Sequence, residues 1–238
     1  MMNNQQKRLT SKRVADFFVW VSAGDELIFS KDVNYPSPIP FHQWTFIANV
    51  TDRYPLTDRV NQPLPEGLPI FCFPNGVELI KINKSPTFHT FVHTSEGGAR
   101  MLGCCLTFYQ KINDSQVHSI EKLINEHQLA NPPTNIQLNN LYIPYCICLI
   151  SHWTFVPSFK KFMCSLYQMS KAPCKIPIER YICNFIDDVP APPAGRIDVT
   201  YYLGTHTFTT FHITTLQYHY TILLYCITVL HYIILFFM

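Results

Sequence analysis

Tyr142-Ile143-Pro144-Tyr145-Cys146-Ile147-Cys148-Leu149-Ile150 is the stretch on which the fold turns. It is an unbroken apolar run of strand length, closed by Ser151-His152. A strand that shows no polar alternation suits burial on both faces, and so a central place in a sheet with cover on either side. The residues after it supply helices. Phe155, Phe159, Phe162, Met163, Leu166 and Tyr167 fall along one side of a segment ending at Met169, with Lys160 and Lys161 on the other. Pro157 is tolerated in the first turn of such a helix. Ile178, Tyr181, Ile182 and Phe185 recur at i, i+3, i+4 and i+7, which predicts a second helix over Pro177–Ile186. Pro190-Ala191-Pro192-Pro193 stops it, and Ile197–Leu203 reads as a further strand.

Working back toward the N-terminus, Val14–Val21 has the same β-branched and aromatic character and reads as another strand buried on both faces. Tyr35-Pro36-Ser37-Pro38-Ile39-Pro40 cannot be a regular element, because each proline removes a donor and restricts its predecessor. Arg53–Pro69, with four more prolines, is expected to be a long irregular connection. Three short strands are expected at Ile70–Phe73, Phe88–His93 and Met101–Tyr109, separated by turns at Pro74-Asn75-Gly76 and Glu96-Gly97-Gly98-Ala99. Val117, Ile120, Leu123 and Ile124 then fall at helical spacing, with Asp114 or Ser115 as N-cap. Ala130–Asn140 reads as a linker. A strand-rich block followed by strand–helix–helix–strand indicates an α/β protein of at least two lobes.

Composition narrows the function classes. A formal charge of +2 over 238 residues, with no Lys/Arg stripe, carries no nucleic-acid footprint. The pairs Lys81/Lys84 and Lys160/Lys161 read as solvated faces. Residues 1–11 are polar and lack the apolar core of a signal peptide. The nine cysteines include no C-x-x-C spacing and lie mostly in apolar runs, which reads as small core residues in a reducing, cytoplasmic setting. His89 and His93 stand at i, i+4 but on an expected strand, where that spacing makes no metal pair. A Cys/His nucleophile would pair, for example, Cys104 with His152, but core-like residues flank Cys104-Cys105 and nothing there lowers a thiol pKa. There is no G-x-x-x-x-G-K-[ST] for nucleotide hydrolysis. Asp187-Asp188 sits at a helix C-terminus, against the helix dipole, and reads as a solvated end before the proline stop.

Taken in order, several segments resemble the DENN family. In the first block these are Arg13-Val14-Ala15-Asp16-Phe17-Phe18-Val19, Tyr54-Pro55, Leu64–Gly76, Phe88–Thr94 and Cys105-Leu106-Thr107-Phe108-Tyr109, similar to the upstream (uDENN) segment. In the second they are Tyr145–Trp153, Phe159-Lys160-Lys161-Phe162, Pro177–Ile182 and Val189–Pro193, similar to the start of the central (cDENN) segment. The resemblance implies a longin-like N-terminal module, then a second α/β lobe, acting as a guanine-nucleotide exchange factor on a Rab GTPase at membranes. It implies no catalytic side chain, no cofactor and no metal, and it carries over no GTPase-contact residue. The expected organisation is a disordered N-terminus (1–12), a uDENN longin-like module (13–110), a helix and linker (111–141), a partial cDENN (142–204) and an apolar tail (205–238). The family's central segment continues further and a downstream dDENN segment follows it. On that footing the chain is expected to be truncated, its second lobe incomplete and exchange by it impaired. The alternative is a membrane-anchored longin-like adaptor that binds partners without exchange.

Residues 205–238 contain no Lys, Arg, Asp, Glu, Pro or Gly. Three readings stand side by side. Leu216–Met238 is long enough to cross a hydrocarbon core, with His219 and His231 interrupting it. Phe208–Ile213 and Ile222–Val229 would instead form a buried strand pair. Alternatively the stretch is translated intron, since of its residues only Val229 requires a codon beginning with G.

Overall fold

The computed structural model describes residues 13–30, 37–59, 62–95, 98–172, 176–192, 198–203 and 207–212. Along the chain run β1 (Phe17–Ser22), β2 (Thr45–Phe46), β3 (Asn49–Tyr54), α1 (Leu68–Cys72), β4 (Val77–Glu78), β5 (Thr87–Thr94) and β6 (Arg100–Lys111). They are followed by α2 (Asp114–Asn125), β7 (Tyr142–Ser151), α3 (Val156–Met169), α4 (Ile178–Asp188), β8 (Asp198–Leu203) and β9 (Thr207–His212). The protein is mixed α/β, as expected. Five strands form one antiparallel sheet in the order β3-β1-β7-β6-β5, and β2–β4 and β8–β9 are separate pairs.

β7 is the middle strand, with Cys148 opposite Val19 of β1 on one side and Cys105 of β6 on the other. Its apolar run is thereby accounted for. Cys146, Cys148 and Ile150 enter a core with Phe17, Val19 and Val21, covered by α1 (Leu68, Cys72) and α2 (Ile120, Leu123). Ile147 and Leu149 enter the opposite core with Phe18, covered by Phe159 and Phe162 of α3 and Phe185 of α4. Each such side chain contributes about 1.5–3 kcal/mol by leaving water. Pro144 is admitted to a central strand by its position. Tyr142 and Ile80 exchange backbone hydrogen bonds on the β1 side, and β1 itself pairs only from Cys146 onward. The donor that proline lacks would have pointed into the gap between them.

Tyr142–Ile150, the expected opening strand of the partial cDENN, pairs with β1 and β6 inside the five-stranded sheet and is covered on both faces, and two other expectations are corrected here. Apolar periodicity shows that a strand is buried, not which strands flank it. Ile70–Phe73 is not a strand. Gly67 at φ +69° turns the chain, Pro69 fits the first turn, and Leu68–Cys72 close one short helix. β3 lies within and just before the stretch read as irregular; its polar, mostly exposed residues form the sheet's outer strand and show no alternation to read.

The N-cap of α2 is Asn113, one residue before the first of the expected caps. Asn113 Oδ1 accepts from the Gln116 backbone N–H at 2.8 Å, and Gln116 Oε1 accepts from the Asn113 N–H at 3.1 Å, a reciprocal capping box. Fully buried Gln116 also donates through Nε2 to the Gly24 carbonyl (2.8 Å), and Ser119 Oγ accepts from the Leu27 N–H (2.9 Å). The start of α2 is thus fastened to the segment after β1.

β8 and β9 form a hairpin-like antiparallel pair, so β9 falls where Phe208–Ile213 reads as strand. Tyr201 of β8 lies edge-on to Phe162 (6.1 Å) and Phe185 (5.3 Å), which themselves stack at 3.8 Å. Among the described residues no helix is long and apolar enough to cross a membrane. Residues 1–12, Ile222–Val229 and the whole of the candidate membrane stretch 216–238 lie outside the described residues.

Candidate functional site

Polar groups gather at the end of the sheet where β1 begins, β7 finishes and α4 finishes. The Val14 N–H donates to the Val189 carbonyl (3.1 Å), and the Asp16 N–H to that of Ile150 (2.8 Å). Asp16 is fully buried, and its Oδ2 accepts from the His152 backbone N–H (3.2 Å) and lies 2.7 Å from His152 Nδ1. Ser151 Oγ donates to the Val14 carbonyl (2.7 Å) and accepts from the Trp153 N–H (2.8 Å), while Trp153 Nε1 donates to the Arg13 carbonyl (3.0 Å). A carboxylate–imidazole couple beside a serine invites a nucleophilic reading, but the serine proton goes to a backbone carbonyl and not to the imidazole. The network is a clamp that locks the first strand to the middle one.

Asp187 departs from its expected role as a solvated end. Its Oδ1 lies 2.8 Å from Arg59 Nη2, and its Oδ2 accepts a hydrogen bond from the Tyr54 hydroxyl. That bond to Asp187 is the chief cause that raises the Tyr54 pKa above its ordinary value. Burial lowers that of Arg59, opposed by the Asp187 charge. No local pattern signals this contact, because Tyr54 and Asp187 are 133 positions apart. Two further groups are placed at the loop before it: Arg53 pairs with Asp58 at 2.7 Å and donates to the Leu56 carbonyl through Nε at 3.0 Å.

The other weighed residues fall apart in space or into packing roles. Cys104 sits in the core under α3 and α4, and burial pushes its thiol up to about 12, away from nucleophilic use. His89 and His93 both lie on β5; His89 Nε2 is 3.3 Å from the Phe71 carbonyl oxygen and the His93 ring meets the Phe71 ring edge-on at 6.0 Å. Lys81, Lys84 and Lys160 hold their ammonium groups over Phe41, Tyr109 and Phe88 at 5.8, 6.0 and 5.4 Å, each contact worth about 0.5–1 kcal/mol where exposed.

Four of the cysteines, by contrast, converge. Cys72 Sγ lies 3.7 Å from Cys105 Sγ, which lies 3.5 Å from Cys148 Sγ. Cys72, Cys105 and Cys146 hold their sulfur atoms all within 4.8 Å of one another, and all are buried. Sequence reasoning placed these residues in the core but could not foresee the meeting, which depends on the β6–β7 register and on the reading of Leu68–Cys72 as helix. A shallow groove of about 270 Å³ runs between residues 26–29 and α2, with Glu26, Lys122 and Glu126 at its rim and Leu27 and Leu123 in its floor.

Comparison with known families divides the chain in two. The model of the uDENN domain matches residues 48–108. The model of the DENN (AEX-3) domain matches residues 142–237, opening on the first residue of β7 and running on through the apolar stretch past β9.

Proposed function

The chain belongs to the DENN family, and from that premise we propose that it is a guanine-nucleotide exchange factor for a Rab GTPase, or a fragment of one, serving vesicle traffic. The observation that carries this reading is the pair of matches, uDENN then DENN, in the family's own order along one chain. The fold suits a protein that works through surfaces. Its buried polar groups clamp strands and helices together and leave the exterior to a partner. Exchange needs no bond made or broken by the factor. It needs tighter binding of the nucleotide-free GTPase than of the nucleotide-bound form, which shifts the population toward release. Residues 216–238 would add a contact with the membrane surface on which such a GTPase works, placing the protein in the cytoplasm and on membranes.

The test is release of fluorescent GDP from a panel of Rab GTPases, with and without the full chain. Acceleration of one or a few members by tenfold or more, equivalent to about 1.4 kcal/mol of barrier, is the expected result. Binding without acceleration would replace the proposal with the adaptor reading. Folded protein that neither binds nor accelerates any member would remove both.

A further inference from the structure

The convergence of thiols inside the sheet has a chemical use independent of the GTPase. We propose that Cys72, Cys105 and Cys146 ligate a structural zinc(II) ion in the core between the sheet and α1, with Cys148 beside them, 3.5 Å from Cys105. The ligands come from three separate elements: the last residue of α1, the middle of β6 and the middle of β7. Zinc–thiolate bonds of about 2.3 Å set at tetrahedral angles place sulfur atoms about 3.8 Å apart. The Cys72–Cys105 and Cys105–Cys148 separations of 3.7 and 3.5 Å fall close to that edge length. The enclosing residues, Cys72 at 3% exposure and Cys105 at 0% among them, keep water from competing for the metal.

Two features support a metal over simple packing. Cys104, the sequence neighbour of Cys105, points into the opposite core and takes no part, so the cluster is specific to one face. Cys72, Cys105 and Cys146, though carried by three different elements, hold their sulfur atoms within 4.8 Å of one another. Binding involves no redox change. Each ligating thiol passes its proton to solvent as its sulfur bonds the ion, so uptake releases protons. A structural ion here takes no part in nucleotide exchange, for which the family resemblance implies no metal.

The experiment uses the full chain, expressed with zinc supplementation and purified without chelator. Metal content is measured by mass spectrometry, and the metal-free protein is titrated with cobalt(II) while sulfur-to-cobalt charge-transfer absorption is followed. The proposal expects about one zinc per chain and a thiolate-type cobalt spectrum. Cys105→Ser and Cys72→Ser should each reduce bound zinc to below about a tenth, while Cys104→Ser retains it. Cys72→Ser, at the end of a short helix, keeps the test open should Cys105→Ser fail to fold. Folded wild-type protein with no zinc and no cobalt band would overturn the site and leave the cysteines as packing residues. So would zinc that survives Cys72→Ser and Cys105→Ser.

Discussion

Replacing Gly103 with alanine would ordinarily help a strand, because glycine costs about 0.5–1 kcal/mol there through its lost freedom. This structure reverses the sign. Gly103 faces Phe91 across the β5–β6 pair, and a Cβ added to it would lie 2.2 Å from Cε1 and Cζ of the Phe91 ring. Ordinary carbon contacts are about 3.5–4.0 Å, so the ring must retreat by about 1.5 Å. It has little room to do so, since Phe71 stacks on Phe91 at 4.8 Å with 11° between the planes. The ring is thus held between backbone and a second aromatic. Overpacking of this kind costs about 1–3 kcal/mol. Urea denaturation of Gly103→Ala is therefore expected to show a net loss in that range. The double variant Gly103→Ala/Phe91→Ala should lose less than the sum of the two single variants, because the clash has gone. A neutral or stabilised Gly103→Ala, or strict additivity in the cycle, would refute the stacking geometry.

Three further outcomes follow from other contacts. Gln116→Ala removes half of the α2 capping box and the partner of the Gly24 carbonyl, so it should cost about 1–3 kcal/mol in the same denaturation assay. Loss below the error of that assay would mean that water replaces the side chain. Tyr54 and Tyr201 both have raised pKa values, Tyr54 chiefly through Asp187 and Tyr201 through burial, which pushes it up to about 12. A raised tyrosine pKa means that the folded state keeps its proton longer than the unfolded state does. Stability from these groups is whole below pH 10 and declines above it, the Tyr201 share being lost as pH rises through about 12. Asp187→Asn should lower the pH at which Tyr54 ionises, read from tyrosinate absorbance, and an unchanged titration would deny the Tyr54–Asp187 bond.

How legible all this was depended on the physical range of each signal. The helices at Val156–Met169 and Ile178–Asp188 were plain, because a periodic apolar face is written within a few turns of local sequence. The burial of Tyr142–Ile150 was equally plain, while its neighbours were not, since pairing is decided by residues far off in the chain. Ile70–Phe73 deceived because four apolar residues satisfy either a strand or a helix, and the arbiters were Gly67 and Pro69 just upstream. The Asp187 bridge and the meeting of Cys72 with Cys105 arise wholly from tertiary approach. Composition and spacing hold no record of either.

The position of β7 has a consequence for synthesis. A ribosome that has released only the first 140 residues has delivered the two outer pairs of the five-stranded sheet and nothing to join them. β1 with β3, and β6 with β5, each have one side waiting for a strand still to be made. Until it arrives, the aromatic and aliphatic faces of β1 and β6 stay open to chaperones or to other nascent chains. Assembly of this module is thereby tied to translation of the second family segment, and a product cut at that junction would be a target for proteolysis.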